Sequence, residues 1–139
     1  MKTVVAYYSL GGTSRKLAEE RARSMDVPCI AVEEVRKRSI ISAFTAGCYK
    51  ALQQKPSAVK PISEEITGSD RLIVFAPVWA GMPAPAYNSL VNALHSGQEV
   101  EVVLVSGSGE SKAEPRLREQ LEAKGAKLIQ FTNVKAPEK

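Results

Sequence analysis

The fold of this chain is decided by the stretch Tyr8-Ser9-Leu10-Gly11-Gly12-Thr13-Ser14. The stretch follows an apolar run, Val4–Tyr7, and precedes a helix-like segment, Arg15–Glu20. Its two glycines allow a sharp turn and a close approach of backbone N–H groups to a ligand, and its hydroxyls can donate to an anion. A helix that begins there adds a partial positive charge. The pattern therefore predicts a strand, a phosphate-binding turn and a helix, with Ser14 as a candidate N-cap.

The stretch differs from two widespread nucleotide-binding turns. It lacks the GxxxxGK motif, followed by Ser or Thr, of nucleoside triphosphatases, and it lacks the GxGxxG motif of dinucleotide-binding folds. A plain tight turn followed by a helix cap is the alternative interpretation. Taken alone, the stretch predicts an anion site without naming its ligand.

Strands and helices alternate along the rest of the chain. The segments that predict strands are Thr3–Tyr8, Cys29–Val32, Arg71–Phe75, Val100–Val105 and Lys127–Phe131. Three of them are almost continuously apolar, which is typical of parallel strands buried on both faces. A helical face recurs at Tyr87, Leu90, Val91 and Leu94, and another helix is predicted near Ile40–Gln53. The alternation predicts an α/β fold in which a doubly wound, five-stranded parallel sheet carries helices on both faces.

Length and composition argue against several classes of protein. The 139 residues suit one domain, predicted to span 1–139. The net charge of +4 comes without a continuous basic face, which argues against a nucleic-acid partner. No apolar run approaches the ~20 residues of a membrane span, and the N-terminus lacks a secretory pattern, so we expect a cytoplasmic protein with no membrane partner. A metal site is not expected from one histidine and two separated cysteines, of which Cys29 is predicted to be a core residue and Cys48 a half-buried thiol.

Two further loops are expected to join the site, because ligands of open parallel sheets bind beyond the carboxyl ends of the strands. Ala76–Pro85 contains three prolines and Trp79, the chain's only tryptophan. We interpret Trp79 as a loop residue able to stack on a flat ligand, with a core tryptophan as the alternative. Ser106–Ser111 is small and polar, and Glu110 is its acid.

Together these segments resemble the flavodoxin family. Ser9–Ser14 is similar to the family's phosphate loop, S/T-x-T-G-x-T, and Phe75–Pro83 is similar to its second flavin loop. Thr45–Leu52 resembles an insert of one flavodoxin-like branch. The resemblance implies a flavodoxin-like strand order of 2-1-3-4-5 and FMN as the cofactor. The residues it implies are Ser9, Gly11, Gly12, Thr13 and Ser14 at the phosphate, Pro77, Val78, Trp79, Ala80 and Gly81 beside the isoalloxazine, and Ser106, Gly107 and Gly109 in the third loop.

The chain also departs from the family pattern. Gly11 stands where threonine is usual, and Thr13 stands where asparagine is frequent. The third loop has no aromatic residue, so one flavin face is expected to be open or covered by Tyr49, Phe44 or a second subunit. Electron-carrying flavodoxins are typically acidic, whereas this chain has a net charge of +4.

Three functions follow from the resemblance and its departures. The first is an FMN protein acting in electron transfer, with a redox partner protein or a small-molecule acceptor. The second is an FMN-dependent NAD(P)H oxidoreductase that reduces quinone-type acceptors, and the third is a non-redox binding module with a weakened flavin site. No catalytic residue is assigned, and His95, near the end of the third helix, receives no role. A homodimer contact, if one forms, is expected around Phe44–Leu52.

Overall fold

The computed structural model describes residues 1–35 and 46–137. Its strands are β1 (Thr3–Tyr7), β2 (Cys29–Ala31), β3 (Arg71–Trp79), β4 (Met82–Pro83), β5 (Glu99–Ser106) and β6 (Lys127–Lys135). Its helices are α1 (Thr13–Met25), α2 (Cys48–Leu52), α3 (Glu64–Thr67), α4 (Pro85–Asn92) and α5 (Glu114–Ala123).

Five of the strands form a parallel sheet in the order β2-β1-β3-β5-β6, and the short β4 pairs antiparallel with the end of β3. Leaving β4 aside, this is the predicted order 2-1-3-4-5, so the expected fold class is confirmed. Neighbouring residues of β1 face different cores. Val4 packs in the core that contains Leu90 and Leu117, from α4 and α5. Val5 packs with Ala18 of α1 on the other face of the sheet.

β3 is longer than predicted, and this corrects the interpretation of Trp79. The strand runs to Trp79, which is its last residue and not a loop residue. Ala80 and Gly81 both have positive φ, 54° and 84°, which is the conformation of a two-residue type I′ hairpin turn. The turn returns the chain to β4. Pro77 is tolerated in β3 because the pairing with β1 ends at Phe75, so its missing N–H removes no bond to β1.

Other local predictions have mixed outcomes. The proposed Ser14 cap is wrong, because the N-cap is Gly12, which makes no side-chain cap, and Ser14 lies inside α1. β6 continues beyond Phe131 to Lys135. The helix near Ile40–Gln53 is seen as α2, while its first part, including Phe44, lies outside the described residues.

The helix face predicted around Tyr87 is confirmed, since Tyr87, Leu90, Val91 and Leu94 are all buried. Both cysteines are free and partly buried, so the half-buried thiol predicted at Cys48 is confirmed. The prediction of a core residue at Cys29 is wrong, because Cys29 lies on the short edge strand β2 and only packs against the margin of the smaller core. Among the described helices, none is long and apolar enough to cross a membrane. Residues 1–35 and 46–137 also contain no group of three or more acidic, histidine or cysteine side chains placed to hold a metal ion.

Candidate functional site

The segment that joins β1 to the first turn of α1, residues 9–14, is called the Gly12 loop below. Gly12 has φ 94° and ψ −8°, a left-handed conformation that glycine adopts without strain. Its N–H donates to Ser9 Oγ at 2.9 Å, and its carbonyl accepts from the Lys16 N–H at 3.0 Å. The N–H groups of residues 13–15 therefore precede the first bond within the helix and lack intrahelical acceptors. A Cβ added to Gly11 or Gly12 would meet no atom within 4 Å, so the loop is open to a ligand.

Ser14 supplies a further donor at the base of this loop. It is only 2% exposed, and its side chain makes no hydrogen bond with any residue of the described ranges. Its place in the first turn of α1 puts this hydroxyl where the N–H groups of the helix end are also unpaired. Unpaired N–H groups together with a hydroxyl at one helix end are the donors that an anion site requires.

Trp79 is held in place by aromatic and core contacts. Its ring meets Tyr8 edge to face, with 5.8 Å between ring centroids and an angle of 81° between the planes. The ring is half-buried and packs against the larger core, whereas the adjoining turn, Ala80 and Gly81, is exposed. Tyr8 is itself buried, and its hydroxyl donates to Glu34 Oε1 at 2.5 Å. Trp79 thus packs against both Tyr8 and the larger core.

Sequence reasoning assigned Tyr8 no role, although it belongs to the stretch that decides the fold. In the structure it connects the Gly12 loop to Trp79 on one side and to Glu34 on the other. The signal was its position directly after β1, at the carboxyl edge of the sheet.

The third predicted loop, after β5, is tied to β6. The Gly109 N–H donates to Ser106 Oγ at 2.9 Å, and Ser111 Oγ donates to Asn133 Oδ1 at 2.6 Å. Gly109 has φ 74°, and a Cβ there would lie 2.9 Å from Lys135 Cβ. The glycine is therefore required by packing against β6, whether or not it also contacts a ligand. Gly107 is exposed and has open space around its Cβ position.

The sheet brings all three predicted loops to one edge. β3 lies between β1 and β5, Tyr7 is in register with Phe75, and Pro77 is in register with Val105. The Gly12 loop, the Trp79 turn and the loop after β5 therefore stand in that order along the carboxyl edge. The predicted site residues fall within these three loops and the end of β3.

A cleft of about 400 Å³ adjoins the Gly12 loop above the ends of β1 and β2, and Ser9 and Gly12 are among its lining residues. We call it the β2 cleft. Tyr7, Leu10, Ala31, Glu33 and Lys60 are among the residues that line it. Burial raises the pKa of the Tyr7 hydroxyl; the neighbouring Arg15 lowers it, and nearby acidic groups raise it further. Sequence reasoning assigned no function to the end of β2.

No protein-family model matches this chain, and no curated protein matches its sequence. Solved structures do match its fold. A flavoprotein from Lactobacillus acidophilus NCFM, solved in complex with FMN, matches with a TM-score of 0.70 and 22% identity, covering 94% of this chain and 91% of the other. Oxidised flavodoxin 1 from Bacillus cereus matches with a TM-score of 0.60, 18% identity and coverages of 99% and 87%. An NADH:FMN oxidoreductase in its apo form matches with a TM-score of 0.56, 17% identity and coverages of 94% and 75%. The chain therefore has the flavodoxin-like fold.

Proposed function

We propose that this protein binds FMN at the carboxyl edge of its sheet and acts in electron transfer. The observation that carries the proposal is the Gly12 loop, which presents unpaired helix N–H groups on the same sheet edge as the packed ring of Trp79. Its residues fit a flavin phosphate, because three helix N–H groups and the Ser14 hydroxyl lack protein partners in the described part of the chain. The flavin of the Lactobacillus protein, which shares the fold, gives the cofactor class.

Each part of the edge has a distinct role in this proposal. The N–H groups of residues 13–15 and the Ser14 hydroxyl hold the phosphate, and the Gly12 conformation keeps them accessible. Trp79 and the turn at Ala80 and Gly81 flank the isoalloxazine, where the ring excludes water from one side. When bound, FMN supplies the electron-accepting chemistry, so the chain needs no nucleophile or metal of its own.

Titration of the purified protein with FMN tests the proposal. Because Trp79 is the only tryptophan, quenching of its fluorescence reports binding near that ring, and visible absorption reports the flavin. Riboflavin, which lacks the phosphate, is expected to bind at least about tenfold more weakly, a loss of about 1.4 kcal/mol. The variant Ser14→Ala is expected to weaken FMN but not riboflavin, whereas Ser24→Ala, farther along the same helix, is the matched control. Failure of FMN to bind in the millimolar range would leave only the non-redox binding module.

A second candidate function is an FMN-dependent NAD(P)H oxidoreductase that reduces quinone-type acceptors. It is favoured by the loop after β5, where Ser106, Gly107 and Ser108 carry no aromatic ring to cover a flavin. A hydride donor needs such access to the flavin face. The assay is oxidation of NADH or NADPH by the FMN-loaded protein with a quinone present. The absence of turnover with either nucleotide would leave electron transfer to a redox partner protein or small acceptor.

A further inference from the structure

We propose that the β2 cleft binds the adenosine 5′-phosphate group of a dinucleotide, supplied either by FAD or by NADH. The part of this inference that concerns FAD rests on the proposed flavin site, whereas the cleft itself can be tested without a flavin. Its volume, about 400 Å³, lies within the roughly 300–1,000 Å³ typical of ligand pockets.

The position of the cleft suits a ligand that extends along the sheet edge. β1 lies between β2 and β3, so the β2 cleft and Trp79 stand on opposite sides of the Gly12 loop. A flavin dinucleotide lying along this edge would place its isoalloxazine beside Trp79 and the phosphate nearer the flavin at the Gly12 loop. Its adenosine 5′-phosphate would then enter the β2 cleft. An NADH molecule would use the same cleft for its adenosine and direct its nicotinamide towards the flavin.

The acidic end of the cleft suits a ribose. Glu33 follows β2, about twenty residues after the glycines of the first loop. In dinucleotide-binding folds, whose GxGxxG motif this chain lacks, an acidic side chain at that position accepts hydrogen bonds from ribose hydroxyls. The backbone of Glu33 is fixed, because its carbonyl accepts from the Lys60 N–H at 2.8 Å. Its carboxylate pairs with Lys60 Nζ at 3.3 Å, with both side chains about 60% exposed. An exposed pair of this kind contributes little to stability, so the carboxylate can exchange this partner for a ribose at small cost.

The rest of the cleft suits the phosphate and the base. Arg15, at the start of α1, has a side chain that is 62% exposed, and it lines the cleft together with Lys60. Arg15 pairs with Glu19 at 3.3 Å, and Lys60 pairs with Glu33 at 3.3 Å. Because both pairs are exposed and weak, the two cations can exchange these partners for a phosphate that the helix N-terminus does not hold. Leu10 is an exposed apolar residue, 37% accessible, at the same cleft. Together with the ring of Tyr7, it provides apolar surface for a flat base.

Binding of AMP is the direct test, since AMP carries the recognised group without a flavin. Ala31 is exposed at the end of β2, opposite Tyr7, so Ala31→Phe should fill the cleft without disturbing the core. We expect AMP to bind the wild-type protein and Ala31→Phe to weaken binding at least about tenfold. The control Ala123→Phe, at an exposed alanine of α5, should leave binding unchanged. If Ala31→Phe does not fold, the exposed Glu33→Gln should show the same weakening.

Several results would overturn the proposal. They are failure of AMP to bind in the millimolar range, equal affinity in wild type and Ala31→Phe, or an unchanged affinity in Glu33→Gln. A protein that binds AMP but not FMN would support the cleft and contradict the proposed function, so the two failures are distinguishable.

Two further titrations identify the source of the group. FAD that binds about tenfold more tightly than FMN, with the advantage lost in Ala31→Phe, identifies FAD. NADH that binds the FMN-loaded protein, and is lost in Ala31→Phe without an FAD advantage, identifies NADH. AMP binding with neither result would overturn the assignment to a dinucleotide.

Discussion

Replacing Gly12 with alanine separates the cost of backbone strain from the loss of a ligand site. Gly12 has φ 94°, and no atom lies within 4 Å of the position its Cβ would take. The expected loss of stability is therefore purely conformational, about 1–2 kcal/mol for a left-handed non-glycine residue. The chain offers a matched control in Gly97, which has φ 89° and equally open surroundings but lies just before β5, at the opposite edge of the sheet.

Both variants should lower the free energy of unfolding by the same amount, seen in urea or as a drop in melting temperature of roughly 3–6 °C. Only Gly12→Ala should weaken FMN, because its Cβ enters the space in front of the helix N–H groups. A loss of two N–H contacts, each contributing about 0.5–1.5 kcal/mol, corresponds to roughly ten- to a hundredfold in affinity. The assay is FMN titration followed by absorption and by quenching of the single tryptophan.

Two outcomes would refute the reasoning. An equal effect of both variants on FMN affinity would show that strain, and not the local site, controls binding. Unchanged stability in Gly12→Ala would contradict the left-handed conformation at that position.

The remaining predictions concern stability and thiol chemistry. Tyr87→Phe should raise the free energy of unfolding by about 1 kcal/mol at neutral pH, because its buried hydroxyl has no partner among the described residues. Burial raises the pKa of Tyr87, so the free energy of unfolding of the wild type should fall as pH rises above 10.0, the ordinary tyrosine pKa. The fall should be smaller in Tyr87→Phe, and equal pH profiles of unfolding for the two proteins would contradict this. Arg21→Ala should lower the free energy of unfolding in urea by about 2 kcal/mol, because it leaves the carboxylate of Glu101, a residue only 4% exposed, unpaired. As the control, Arg15→Ala breaks an exposed ion pair and should lower it by less than about 0.5 kcal/mol. Burial raises the pKa of the Cys29 thiol, so its alkylation should become fast only at a higher pH than that of an unburied thiol. The alkylation rate at each pH is measured by mass spectrometry of the Cys29 peptide. A midpoint pH of alkylation at or below that of a free thiol would show that the Cys29 thiol is not shielded.

The central strands and the Gly12 loop could be predicted because their signals are local. The inner residues of β1 and β5 are buried on both faces, so apart from Glu101 they are apolar and the runs are visible in the sequence. The glycine pair between a strand and a helix also needs no information from elsewhere in the chain.

The missed features depend on contacts between distant segments. Trp79 was interpreted as a loop residue because prolines flank it, yet the hairpin with Met82 extends the strand through it. β6 beyond Phe131 is polar and only partly buried, as expected of an edge strand, so its pattern gave no apolar run. The β2 cleft adjoins an isolated bridge between Glu34 and Val59, a pairing over a long separation that no local pattern encodes.

The direction in which β6 runs through the sheet determines where a fluorescent label or a fused domain should be attached. β6 runs parallel to the other four strands of the sheet, so Lys135 lies at the carboxyl edge, where Ala136 N–H donates to the Ser106 carbonyl at 2.7 Å. Thr3 begins β1 at the opposite edge. A dye placed after Ala136 would therefore report motions of the loop after β5, and a bulky fusion there would crowd it. A fusion that precedes Thr3 would leave the carboxyl edge accessible to a redox partner.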